Sequence, residues 1–368
     1  MPLRSFAELP ALVEELMGGH ERVVLVYFDA FAWRFAERHA GHPLLREAEV
    51  ERWASQFPST TAVHTTTIHT GLPVGEHGIY EWHVYEPRLD RLVTPLWHCF
   101  AGDPERDTLF RAGLEGADLF PFETLYERWE WPSHVAQPAA YAFSPASRCL
   151  LRGATVHPFR PVSEGLGLLA RALAAEERGY ATIHLPELDT HMHLAGPDSP
   201  DVDRIVGATL DAIRAAPWPS GTAVLVTSDH GMAAISPERT SYVNVVWPEL
   251  PEHLVHGADG KPLAPAGSAR DLFLHVLPDR LDEVAARLGT LLEGKADVRR
   301  VDELVAEGLF GEVGERLRAR LANLVVLPHP GEAAYWLEPG RFEQRFLGQH
   351  GGLWPDEAEI PLVRWLAP

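Results

Sequence analysis

With 368 residues, 46% of them hydrophobic and 23% charged, the chain can bury a large core as one big α/β domain or as two, and bulk disorder is excluded. A formal charge of −20, with Lys261 and Lys295 the only lysines, argues against a nucleic-acid surface, although a small anionic substrate is admissible where bound cations reverse the local field. Cys99 and Cys149 build no disulfide framework, acidic residues interrupt the N-terminal stretch, and no apolar run reaches bilayer length. A soluble, cytoplasmic protein without membrane attachment is therefore expected, of unspecified oligomeric state.

In chain order, the first strong element is Val23–Phe28, "VVLVYF", an apolar β-branched run of the kind buried on both faces of a parallel sheet, with Asp29 directly after it. A helical pattern follows Phe31. The stretch from Phe57 to Gly71, "FPSTTAVHTTTIHTG", collects six threonines and two histidines. It reads either as a polar helix or as the seat of a nucleophile. Gly165–Arg178 is helical, Ala181–Leu185 is a strand that Asp189 and His193 follow, and Pro200–Ala215 is helical. Ala223–Thr227, "AVLVT", is a strong strand with Asp229 and His230 behind it.

Residues 241–319 read as a small α/β insertion or cap: a Gly/Pro-rich loop at 257–269, a strand-like "DLFLHVL", an amphipathic helix over 279–294, then "ADVRRV" and "DELVAEGLF". The core, 1–240, resumes at about residue 320, with Leu324–Leu327 as its next strand, and runs to 368. The alternation predicts a doubly wound, mostly parallel sheet flanked by helices. Ligands bind beyond the carboxyl ends of such strands, so three ends bearing Asp and His imply one shared site.

The chemistry rests on Asp29, Thr61, Asp189, His193, Asp229, His230 and His350, in "VYFDAF", "FPSTTAV", "PELDTHMHLAGP", "TSDHGMA" and "LGQHGGLWPDEAEIPL". Three carboxylates and three imidazoles make two mixed N/O ligand sets, which suit Zn²⁺ and also Mn²⁺ or Fe. Two metals about 3.5–4 Å apart can clamp the attacking and leaving oxygens of a phosphoryl group.

The order Asp, Pro-Ser/Thr-x-Thr, Asp-x-x-x-His, Ser-Asp-His-Gly-Met, His-Gly-Gly resembles the alkaline phosphatase superfamily. Within it the likeness is to the type I phosphodiesterase/nucleotide pyrophosphatase family, over residues 23–240 and 320–368. The resemblance implies an alkaline phosphatase-like fold with two divalent cations, Zn²⁺ or alternatively Mn²⁺. It implies one cation at Asp189, His193 and His350 and a second at Asp29, Asp229 and His230. Thr61 is then the nucleophile at the start of a helix capped by Gly71, phosphorylated in the first step and hydrolysed in the second. The sequence departs from that pattern at two implied substrate-pocket positions. Ala62 stands where an aromatic stacks on a base, and Trp82 where an asparagine holds a phosphate oxygen. A diester, or an aryl or alkyl phosphate ester, is therefore the expected small-molecule substrate.

Plainer readings exist for each residue. Asp29 suits a helix N-cap, and Asp189 with His193 an ordinary i,i+4 pair. His191 competes with His193 as a ligand, and Thr60 with Thr61 as nucleophile. His64, His69 and His77 read as structural, Cys149 as a core cysteine, and Phe31, Trp33 and Tyr80 as core or pocket aromatics. A phosphotransferase or mutase using the same threonine, and a non-catalytic metal-binding relative, are the competing functions.

Overall fold

Along the first strand Val23, Leu25 and Tyr27 turn to one face while Val24, Val26 and Phe28 turn to the other, and both faces are buried. In the computed structural model, which describes residues 3–368, that strand is the middle of the main sheet. The strands of the two larger sheets are, in chain order, β1 (Arg22–Phe28), β2 (Glu49–Ala54), β3 (Ser133–Pro138), β4 (Thr155–Phe159), β5 (Gly179–Leu185), β6 (Ala223–Thr227), β7 (Ala266–Gly267), β8 (Leu272–Leu274), β9 (Ala296–Arg300), β10 (Leu324–Pro328) and β11 (Glu359–Leu366). The main sheet runs β2-β11-β6-β1-β5-β3-β4. The pairs β1/β5, β1/β6, β3/β5 and β3/β4 are parallel, and β11 is antiparallel to both its neighbours.

The longer helices are α1 (Leu9–Gly19), α2 (Thr61–Thr70), α3 (Val162–Ala174), α4 (Glu187–Ala195), α5 (Asp201–Ala215) and α6 (Leu281–Leu291). Apolar residues of α3 and α5 pack with Val24, Val26 and Phe28. Those of α1, with Ile68 of α2, pack with Val23, Leu25 and Tyr27. The sheet is thus covered on both faces, the expected doubly wound, mostly parallel architecture.

Leu324–Pro328 departs from expectation. It is a strand, but not of the core: the smaller sheet runs β7-β8-β10-β9, and Leu324–Leu327 pairs antiparallel with β8 and β9. The chain re-enters the main sheet at β11. An apolar run suits any buried strand, and nothing within it says which sheet will take it. The proline in β11 hid that strand from the periodicity. Pro361 pairs with Arg52 of β2 and lies outside the 362–366 register with β6, so its missing N–H breaks no bond on that side.

Arg270, next to β8, is fully buried and joins the smaller sheet to the main one. Its guanidinium holds Glu357, also fully buried, through Nε–Oε1 at 3.0 Å and Nη2–Oε2 at 2.8 Å. It also donates to the carbonyls of His329 and Glu332. Glu357 Oε1 accepts the Gly352 N–H at 3.0 Å and the Glu357 carbonyl accepts Gly231 N–H at 2.7 Å. One buried ion pair therefore anchors two loops that carry histidines. Arg270→Met leaves a buried, unpaired carboxylate and is expected to lower unfolding free energy by about 3–5 kcal/mol in urea titrations. Arg270→Met/Glu357→Leu is expected to recover a substantial part of it, and a double variant no more stable than the single one contradicts the assignment.

Candidate active site

Asp29 follows β1, Asp229 and His230 follow β6, and Asp189 and His193 lie one turn apart on α4 behind β5. His350 sits in the loop before β11, and Thr61 is the first residue of α2. These positions converge at the carboxyl ends of the central strands. Asp189, His193 and His350 each offer a donor atom within 4.8 Å of the others, and so do Asp29, Asp189 and His230. Asp229 adjoins the second trio, with Oδ2 3.0 Å from His230 Nε2, while Asp29 Oδ1 lies 3.5 Å from the same nitrogen. Thr61 Oγ1 is 3.1 Å from His230 Nε2. His191 faces elsewhere, its Nε2 3.1 Å from Ser199 Oγ, because two residues along a helix is about 200° around it.

Backbone carbonyls set the tautomer of all three histidines. Nδ1 of His193 donates to Gly348 O at 2.9 Å, Nδ1 of His230 to Gly231 O at 2.8 Å, and Nδ1 of His350 to Ser59 O at 2.9 Å. In the neutral ring Nε2 then carries a lone pair, and each Nε2 faces carboxylate oxygens: Asp189 Oδ1 stands 3.2 Å from His193 and 3.8 Å from His350. Lone pairs facing lone pairs repel unless a proton or a metal cation lies between them. Asp29 Oδ1 and Asp189 Oδ1 are moreover buried and accept no hydrogen bond.

The electrostatics agree. Burial, then Asp229 and Asp189, push the Asp29 carboxyl well above its usual value. Burial opposes charge on His193 and His230, yet Asp189 and Asp229 respectively hold these imidazoles above theirs. Burial and His230 push His350 well below. Outer partners orient the carboxylates: His184 Nε2 lies 2.8 Å from Asp29 Oδ2, and the Tyr27 hydroxyl donates to Asp229 Oδ2 at 2.7 Å. Glycines let the loops close. A Cβ on Gly231 would collide with the Asp356 carbonyl, and Gly351, at φ +130°, would press one onto Asp271 Oδ1.

The Thr60 side chain makes no cap on α2, so its first amides stay available to an anion, and Gly71 ends the helix at φ +76°. Thr66 and Thr70 hydroxyls donate to carbonyls one turn back, and Thr67 Oγ1 accepts from Gln56 Nε2. Two cavities flank Thr61 and share it with Trp82, Trp97 and Asp189: one of about 180 Å³ that reaches Arg106, Gln137 and Tyr141, and one of about 390 Å³ that reaches Glu81, Tyr335 and Phe346.

Trp82 lines both cavities. Ala62 does not line either: it is fully buried in the apolar core with Val63, because one residue past Thr61 the helix has turned about 100° away from the site. Sequence reasoning missed Trp97, Arg106, Glu81 and His184. The last was legible as a histidine at the end of a strand; Glu81 and Arg106 lie on loops and Trp97 in a three-residue 3-10 turn, none of which carries a periodic signal.

A sequence profile described as type I phosphodiesterase / nucleotide pyrophosphatase matches residues 23–353. Among curated relatives, the chain is 24% identical over 203 residues to a venom phosphodiesterase of Naja atra, covering 51% of this chain and 22% of that protein. It is 23% identical over 253 residues to ectonucleotide pyrophosphatase/phosphodiesterase family member 5 of Homo sapiens, covering 61% and 47%. The matches thus span from about a fifth to about half of those relatives' lengths. Of solved structures, murine ectonucleotide pyrophosphatase/phosphodiesterase 5 superposes with a TM-score of 0.68 at 18% identity, covering 93% of this chain and 87% of that one. Phosphonoacetate hydrolase from Sinorhizobium meliloti, in complex with phosphonoacetate, gives 0.63 at 19%, covering 94% and 90%. At such identities the superpositions speak for a shared fold.

His64 and His77 are buried in fixed neutral tautomers. Nε2 of His64 accepts Gln56 N–H at 2.9 Å while Nδ1 donates to Thr60 O at 2.7 Å. Nδ1 of His77 accepts Ile79 N–H at 3.0 Å. Burial pushes His64 down to about 4 and His77 to about 3. Between those values and about 6.5 the unfolded chain binds protons the folded one refuses, so stability falls as pH drops through that window. Each such histidine is expected to cost about 2 kcal/mol between pH 6.5 and 5. His77→Gln is expected to flatten the pH dependence of denaturation by about that amount, and an unchanged slope refutes the reading.

Proposed function

The chain belongs to the type I phosphodiesterase/nucleotide pyrophosphatase family, and from that premise we propose that it is a metal-dependent phosphodiesterase acting through a phosphothreonine at Thr61. The observation that carries this is the position of Thr61 Oγ1, 3.1 Å from His230 Nε2 on an uncapped helix N-terminus beside two clustered ligand groups. Asp189, His193 and His350 would hold one cation and Asp29, Asp229 and His230 the other. The mixed imidazole–carboxylate set fits Zn²⁺, with Mn²⁺ the alternative. When bound, the two cations supply the positive charge that makes a threonine alkoxide accessible and neutralises the phosphoryl oxygens.

The chain's own groups do the rest. Thr61 gives up its hydroxyl proton to solvent and attacks phosphorus; the Oγ–P bond forms as the bond to the leaving alcohol oxygen breaks. Amides of Thr61 and Ala62, free of intrahelical partners, face a non-bridging oxygen. Water then attacks the phosphothreonine, the Oγ–P bond breaks, Thr61 regains its proton, and a phosphate monoester departs. His184 and Tyr27 keep Asp29 and Asp229 in place throughout.

The comparisons support this reading. Relatives carry the name phosphodiesterase, and an inactive threonine-to-alanine variant of the murine protein binds AMP. Gly267 and Ser268, from the region read as a cap, reach the larger cavity. Among the described residues no helix is long and apolar enough to cross a membrane. Cys99 and Cys149 are unpaired, which supports a reducing compartment such as the cytoplasm.

The purified chain is expected to hydrolyse bis-p-nitrophenyl phosphate, to lose that activity to a chelator and to regain it with Zn²⁺. Thr61→Ala is expected to lower kcat by about 10³-fold or more with metal content unchanged. Turnover that survives either chelation or Thr61→Ala sinks the proposal.

A further inference from the structure

A third cavity, of about 300 Å³, lies apart from Thr61 and shares no lining residue with the two beside it. Two tight turns contribute to its wall. In one, the Lys261 carbonyl accepts the Gly257 N–H at 2.9 Å, and the Ala258 N–H pins the turn to Asp90 O at 3.0 Å. In the other, the Phe342 carbonyl accepts the Glu338 N–H at 2.9 Å. The turns bring Lys261 and Arg341 to the same cavity as Arg91, the first residue of the short strand Arg91–Thr94. Both guanidinium groups are held in advance. That of Arg91 lies over the Phe100 ring at 4.1 Å; that of Arg341 lies over the Phe342 ring at 5.3 Å, and its Nη2 donates to Ala101 O at 2.9 Å. The floor is apolar, with Leu92, Leu263, Trp336 and Phe342 all buried.

Three cations around one cavity stand against the field of a chain whose net charge is −20. Lys261 takes part in no ion pair among the described residues. Arg91 pairs with Asp259 at 3.7 Å and Arg341 with Glu338 at 2.7 Å, all four side chains being about a third exposed. Pairs so exposed contribute little, because water screens them, and they yield to an anion that offers more oxygens. Two guanidinium forks and an ammonium supply more donors than the two oxygens of a carboxylate can use, and they match the three terminal oxygens of a phosphoryl group. The apolar floor accommodates an organic body, and the volume suits a small molecule. We propose that this cavity is a second ligand site, for a small organic phosphate monoester. The chemistry of the site stands whether or not Thr61 attacks an ester.

Lysine footprinting of the purified full chain tests it, because Lys261 and Lys295 are the only lysines and both are exposed. Acylation of each by acetic anhydride is followed by peptide mass spectrometry. The probe is phenylphosphonate, which has no ester bond to lose. It is expected to slow acylation of Lys261 saturably, by about ten-fold or more, and to leave Lys295 unchanged. Inorganic phosphate, which has no ring to bury, is expected to need about ten-fold higher concentration for the same protection. Arg341→Ala is expected to raise the protecting concentration of phenylphosphonate about ten-fold. Arg91→Ala, which removes the other fork from a strand and leaves both turns intact, is expected to do the same. Failure to protect Lys261 overturns the proposal, as does equal protection of Lys295. Equal potency of inorganic phosphate, or a potency that both arginine variants leave unchanged, overturns it too. Neither arginine lines the cavities beside Thr61, so the result is separate from the fate of the hydrolase reading.

Discussion

Three largely buried aspartates brought together among imidazole nitrogens are the constraint on which the rest of this structure depends. Asp29, Asp189 and Asp229 arrive from three different strand ends, and charge repulsion alone would drive them apart. Three imidazoles share the space, each locked by a carbonyl into the tautomer that turns its lone pair inward. Such a cluster is costly unless positive charge compensates it, and the outer contacts from His184 and Tyr27 hold the carboxylates of Asp29 and Asp229 in orientation.

Holding this cluster requires parts of the chain that are remote in sequence. The His350 loop is tied to the Thr61 loop through Ser59, whose hydroxyl donates to Gly352 O at 2.9 Å and whose carbonyl accepts from His350. It is tied to the second sheet through the Arg270–Glu357 pair. The histidine loops, the nucleophile loop and the smaller sheet are consequently one packed unit. Residues of the 241–319 region therefore help to position the His350 loop.

The asymmetry of the two cavities gives the site a direction. Arg106 reaches the smaller cavity beside Thr61, whereas the buried Glu81 lines the larger one among aromatic rings, so the two sides of Thr61 differ in charge. Trp82 and Trp97, packed edge to face at 5.4 Å, line both cavities.

Much of this was legible in the residues. Val23–Phe28 and Ala223–Thr227 are so apolar that only a strand buried on both faces suits them, and a polar Asp directly behind such a strand has to emerge at the sheet edge. The spacing of "DTHMH" and "SDHG" then narrows the ligands, and Gly71 marks the end of the threonine helix by its left-handed backbone. Pairing was not legible: Leu324–Leu327 is an ordinary apolar strand until β8 and β9 claim it, and Glu359–Leu366 hides behind Pro361. Nor was the direction of single side chains, since Ala62 differs from Thr61 by one helical step and ends in the core. The sequence by itself determined the sheet's central strands and the donor atoms of the site, because burial period and ligand chemistry are properties of neighbouring residues. Only the tertiary structure decided the second sheet, the Arg270–Glu357 tie and the unequal cavities, because these depend on which distant surfaces meet.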